Sequence, residues 1–144
     1  MTTGEYTIEL REVSFGYGPG GPAVLKKLSG RIPARSITAL LGPNGSGKTT
    51  LLHLLLGLLA HKEGDILVSG KALGEYSSRV MKQLIGLVPQ EESIPFDLSV
   101  FEYVLLGRAP HLRLLSLPKG EDFKIALNAL ETIGITALRD RSLP

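Results

Sequence analysis

The chain has no cysteine and no tryptophan. Without thiols it can form neither a disulfide nor a thiolate-bound metal site, which fits a reducing compartment. It also lacks an excess of one charge: 16 basic and 14 acidic residues leave a net +2, and no basic run stands out, so nucleic acid is not an implied partner. Long apolar runs are missing as well. The longest, Leu51 to Ala60, is interrupted by His53 and falls far short of the ~20 residues that span a bilayer. The polar start, Met1-Thr2-Thr3-Gly4-Glu5, carries no signal-peptide pattern. The three histidines, His53, His61 and His111, share no metal-ligand spacing. A soluble, cytoplasmic chain is expected, with any membrane association made through a partner. At 144 residues and 43% hydrophobic content it is at most one domain with a respectable core.

What is present is concentrated at one place. Gly42-Pro43-Asn44-Gly45-Ser46-Gly47-Lys48-Thr49-Thr50 meets the pattern G-x-x-x-x-G-K-[ST]. Gly42, Gly45 and Gly47 allow positive φ and close approach to a ligand, turning successive N–H groups into an anion nest. Lys48 is expected to reach the β- and γ-phosphates, and the Thr49 hydroxyl to ligate Mg²⁺. The following helix would set the positive end of its dipole beneath the phosphates. Context agrees with the motif: Ser36 to Leu41 reads as a short buried strand and Thr50 to Ala60 as a leucine-rich helix, apolar nearly all round and therefore buried.

Elsewhere, Tyr6 to Ser14 alternates as a half-buried strand, Gly16 to Pro22 is a turn, and Val24 to Ile32 is a second strand closed by Pro33. Glu63 to Gly70 reads as a strand, Ser78 to Leu84 as a short helix, and Ile85 to Val88 as a strand stopped by Pro89. Ser99-x-x-Glu102 is a capping box opening a helix through Leu106. Glu121 to Ile133 is a last amphipathic helix with Ile125, Ala129, Leu130 and Ile133 on one face, ended by Gly134. Ile94, Pro95, Phe96 and Leu98 form an apolar loop suited either to docking or to the core.

The phosphate loop, with Asn44 inside it and Thr50 after it, resembles that of the nucleotide-binding subunits of ATP-binding cassette (ABC) transporters. Val13-Ser14-Phe15-Gly16-Tyr17-Gly18 looks like the family's aromatic loop, and Val88-Pro89-Gln90 like its glutamine loop. Leu105-Leu106-Gly107-Arg108-Ala109-Pro110-His111 is similar to a segment of the subgroup that imports iron–siderophore complexes, haem or cobalamin. The resemblance implies an α/β fold, a P-loop NTPase core that is incomplete, with an N-terminal antiparallel β subdomain. It implies ATP and Mg²⁺ as cofactors, bound by Tyr17 and by the loop from Gly42 to Thr50. Tyr17 would stack on adenine; its alternative is to pack on the first strand. Lys48 and Gln90 would be catalytic parts, and Thr49 and Gln90 would meet the metal. Gln90, placed at a strand's C-terminal edge, sits where ligands collect in open α/β sheets.

The family's remaining parts are not found before Pro144. No Leu-Ser-Gly-Gly signature, no apolar run ending in Asp-Glu and no switch histidine can be read; Ile133 to Asp140 is a poor substitute, interrupted at Gly134 and with Arg139 beside the acid. The resemblance therefore implies residues 1–144 as the N-terminal part of an ABC ATP-binding domain, truncated before the signature. In a complete protein it would work as a head-to-tail homodimer on transmembrane permease subunits, peripheral on the inner face of the cell membrane. Two rivals stand beside it. A small-molecule kinase or GTPase needs an acceptor lid or a guanine-reading Asn-Lys-x-Asp, neither of which is present; a non-hydrolysing nucleotide-binding remnant or regulatory module needs nothing more than what is here.

Overall fold

The computed structural model describes residues 6–90, 97–113 and 115–143. They fall into two compact units divided between Ile85 and Gly86.

The first unit holds an antiparallel sheet. Strands β1 (Tyr6–Phe15), β2 (Leu25–Pro33), β3 (Glu63–Val68) and β4 (Lys71–Ala72) lie in the order β2-β1-β3-β4. β1 begins with the expected alternation, Leu10 inward and Arg11 outward. It then slips. Glu12 takes φ 49° in a bulge, the register shifts on both neighbouring strands, and Val13 and Phe15 join Leu10 on the buried face. Gly64 accommodates the bulge: a Cβ there would lie 2.3 Å from the Arg11 carbonyl oxygen. Helix α1 (Lys48–Leu55) shares one core with this face. Leu51, Leu54 and Leu55 are buried with Val13, Phe15, Leu25, Ile66 and Val68, and Leu73, in the turn after β4, and Met81 of α2 (Ser78–Leu84) complete the cluster.

Three expectations fail here. Ser36 to Leu41 and Ile85 to Val88 are not strands; they pair with nothing in the sheet, and Val88 is 95% exposed. An apolar run acquires strand structure only when a neighbour satisfies its N–H and C=O groups, and neither β2 nor β4, the sheet's two edges, pairs with these segments. The leucine helix ends at Leu55, not Ala60, and buries one face only, with Leu52 and Leu58 exposed.

The second unit is helical. Ser99 caps α3 (Val100–Leu106) as anticipated: its hydroxyl accepts from the Glu102 N–H, while the Glu102 carboxylate accepts from the Ser99 N–H at 2.8 Å. Residues 139–143 return to this end, Val100 N–H donating to Arg141 O and Leu143 N–H to Leu98 O, both at 2.9 Å. Phe101 stacks on Phe123 of α4 (Gly120–Thr132), with ring centroids 6.0 Å apart. The inward stripe of α4 is Asp122, Ala126 and Leu130, whereas Ile125, Ala129 and Ile133 are exposed, so of the expected face only Leu130 is buried. An aspartate can occupy the stripe because it is satisfied. The Lys119 N–H and Arg108 Nε each donate to it at 3.0 Å.

Those two partners, the Lys119 N–H first, hold the Asp122 carboxyl below its usual range. A depressed carboxyl stabilises the fold above its unfolded pKa of ~3.9, and the contribution is lost as pH falls through the lower folded value. Asp122→Asn should therefore lower the thermal midpoint at pH 7, with the gap from wild type narrowing below pH ~4. A gap of equal size at pH 7 and pH 3, measured by circular dichroism melts, would show that the charge is not what matters.

Candidate phosphate-binding site

The loop from Gly42 to Gly47 enters α1 directly. The Ser46 N–H donates to Pro43 O at 3.2 Å, closing a turn, and Gly45 (φ 81°) and Gly47 (φ 90°) take left-handed conformations that side chains resist. Gly47 has a second reason to be glycine, since a Cβ would come within 2.9 Å of Leu25 Cδ2 at the start of β2. Gly42 differs from expectation. It is not left-handed, and a Cβ there would stand 2.8 Å from Ser46 Oγ, a hydroxyl that can rotate away.

The helix end is prepared for an anion. Gly47, the N-cap, provides no side-chain cap, and the first turn of α1 carries no acidic residue, so its leading N–H groups and the positive dipole end are uncompensated. Lys48 lies across the loop, its ammonium donating to Gly42 O at 2.9 Å and Pro43 O at 2.8 Å. The two threonines part company: Thr49 is exposed, while Thr50 is only 6% exposed. Pro43, Asn44, Gly45 and Ser46 all lie on the exposed side of the loop.

Tyr17 belongs to the same place. Its hydroxyl lies 3.1 Å from Thr50 Oγ1, its ring meets Phe15 edge-on with centroids 5.0 Å apart, and it remains 54% exposed. The glycine turn that carries it is held by Lys62, whose ammonium donates to Gly18 O at 2.8 Å. Sequence reasoning missed Lys62; nothing in its spacing marks it, 44 residues from its acceptor. An apolar cavity of about 340 Å³ lies beyond the other end of α1, lined by Leu56, Leu58, Leu73, Tyr76 and Met81 among others. It contains none of the loop's anion-facing donors.

The family model for ABC transporters matches residues 25–144. The chain belongs to the ABC transporter family. It is 39% identical over 137 residues to a Helicobacter pylori (strain ATCC 700392 / 26695) protein named as an iron chelatin transport ATP-binding protein, covering 94% of this chain and 53% of that one. It is 34% identical over 143 residues to the ferric enterobactin transport ATP-binding protein FepC of Escherichia coli (strain K12), covering 99% and 52%. Among solved structures, a transporter described as metal-chelate type, in an inward-facing conformation, aligns with a TM-score of 0.77 at 34% identity, covering 96% of this chain and 48% of that one. The chain spans about half the length of the curated relatives it matches.

Against the ABC pattern, the structure brings Tyr17 to the phosphate loop within the first unit. Gln90 lies in the second unit, exposed at a bend, and not at a strand edge, because Ile85 to Val88 is not a strand. Ile94, Pro95 and Phe96 of the anticipated docking loop lie outside the described residues; Leu98 is half-buried. Among the described residues no helix is long and apolar enough to cross a membrane.

Proposed function

We propose that the chain is the N-terminal, nucleotide-binding part of the ATP-binding subunit of an ABC importer for metal complexes of the iron–siderophore, haem or cobalamin kind. The observation that carries this reading is the loop itself: left-handed Gly45 and Gly47, an uncapped helix end and Lys48 converge on one exposed anion nest. The cargo class rests on the names of the two relatives given above, an iron chelatin and a ferric enterobactin transport protein.

In this reading the backbone N–H groups of the loop receive the β-phosphate, and Lys48 swings from its carbonyl partners to the β- and γ-phosphates. Tyr17 gives the adenine a face without reading its edge. Mg²⁺ fits the donor set in a limited way. The described residues include no group of three or more histidine or acidic side chains that could cage it. Thr49, exposed next to Lys48, would supply one hydroxyl, and phosphate oxygens most of the rest. Bound there, the ion would neutralise phosphate charge.

A complete protein of this kind would act as a head-to-tail dimer on membrane permease subunits, from the cytoplasmic face. The relatives are about twice as long as this chain, and the unpaired apolar stretches at 37–41 and 87–88 are where further strands of a relative-length protein would pair. The 144 residues by themselves contain no catalytic acid next to an apolar strand. They should bind Mg-ATP weakly and release phosphate at the background rate, in a colorimetric phosphate assay, with Lys48→Ala no slower. Turnover that Lys48→Ala abolishes would overturn the proposed inactivity.

A further inference from the structure

Two threonines follow Lys48, and the fold treats them differently. Thr49 faces outward, whereas Thr50 is buried in the third position of α1 with its hydroxyl against that of Tyr17, 3.1 Å away. Tyr17 sits in a segment where four of the six residues from Gly16 to Gly21 are glycine, so the backbone alone gives the ring little direction. Three contacts compensate. Phe15, itself buried, supports the edge of the ring; Lys62 fixes the carbonyl of Gly18; Thr50 holds the far end of the phenol. Only the last of these joins the aromatic turn to the helix that opens from the phosphate loop.

We infer that Thr50 is a positioning residue for Tyr17, its hydroxyl fixing the aromatic shelf at a set distance from the phosphate nest before a nucleotide arrives. The inference rests on the nucleotide-binding reading above and deepens it. A ligand with a base and a phosphate tail must meet both parts at once. If the shelf is held in place beforehand, binding loses less ring freedom and the affinity rises. A ligand that is only a phosphate chain gains nothing from it. The link therefore favours nucleoside triphosphates over inorganic polyphosphate, although neither hydroxyl reads the base.

The test is a double-mutant cycle on the 144-residue chain, with affinities measured by isothermal titration calorimetry for Mg-ATP and for magnesium tripolyphosphate. Tyr17→Phe keeps the ring and the Phe15 contact; Thr50→Val keeps the shape of the buried side chain. Each single change should weaken Mg-ATP about 3- to 10-fold, as for one lost hydrogen bond, and the double variant should be no weaker than the worse single. The preference for Mg-ATP over tripolyphosphate should drop by a similar factor in Tyr17→Phe.

Losses that multiply in the double variant would overturn the inference, because the hydroxyls would then act independently. So would a Tyr17→Phe variant that loses both ligands alike, since the effect would lie in the nest. Thr50→Val is the change more exposed to misfolding, so Thr50→Ser, which keeps the hydroxyl, stands beside it: it should retain the Mg-ATP preference, and a loss of that preference in folded Thr50→Ser as large as in Tyr17→Phe would overturn the inference. Mg-ATP binding indifferent to Lys48→Ala would overturn the nucleotide-site reading itself, a result separate from any outcome of the cycle.

Discussion

Lys48→Ala is expected to raise the Kd for Mg-ATP by about 10- to 100-fold, the scale of a lost hydrogen bond to a charged group. The residue stands at the first turn of α1, where the helix dipole and the exposed N–H groups already favour an anion. Its ammonium is not waiting in solvent. It caps two carbonyls of its own loop, Gly42 O and Pro43 O, so the mouth of the nest has a cation across it. A phosphate chain replaces weak, neutral acceptors with charged ones, and the gain from that exchange is what alanine removes. The fold should scarcely notice, because the two carbonyls it releases are on an exposed loop where water serves equally well. A thermal midpoint within a degree or two of wild type, with binding lost, would be the expected pair of results. Unchanged affinity by calorimetry would remove Lys48 from the site.

The loop could be read from the sequence because its chemistry is local. Nine consecutive residues set the turn, the nest and the helix start, and no distant partner is needed to form them. The capping box at Ser99 and Glu102 was legible for the same reason. Strands are different. Ser36 to Leu41 has the composition of a buried strand, yet a strand is defined by its neighbours, and the sheet offers it none. The face of α4 was misread because hydrophobicity alone was counted. Asp122 is buried where the hydrophobic pattern expects Ile125, and the Lys119 N–H together with Arg108, brought there from after α3, explains how a carboxylate can be there.

Tyr17 falls between these cases. Its glycine neighbours and its place upstream of the loop suggested a role, but not the distance to Thr50. Upstream of Tyr17 lies the bulge at Glu12, beyond which Val13 and Phe15 take the inner face of β1 and Phe15 meets the Tyr17 ring. No pattern of residues predicted the bulge. The partners that stabilise it, Gly64 and the hydroxyl of Ser29 accepting from the Glu12 N–H at 2.9 Å, are remote in sequence.

The second large effect tests how α1 is held. Leu54→Ala should destabilise the first unit by about 2–5 kcal/mol, the usual range for a large-to-small change in a packed core. Leu54 has no exposed surface and lies within the cluster formed by Leu10, Val13, Phe15, Ile66 and Val68. The sequence gives no reason to prefer it to its neighbours, since seven leucines lie between positions 51 and 59. The structure separates them. Leu52, on α1 itself and 44% exposed, should tolerate alanine at a much smaller cost, about 1 kcal/mol or less. Urea unfolding of the two variants side by side distinguishes a helix buried on one face from one buried all round, for which both losses would be large. Because the same helix begins at the phosphate loop, Leu54→Ala should also weaken nucleotide binding, and only by the fraction of chains it unfolds. A loss of affinity greater than the folded fraction accounts for would mean that core packing, and not the loop alone, sets the geometry of the nest.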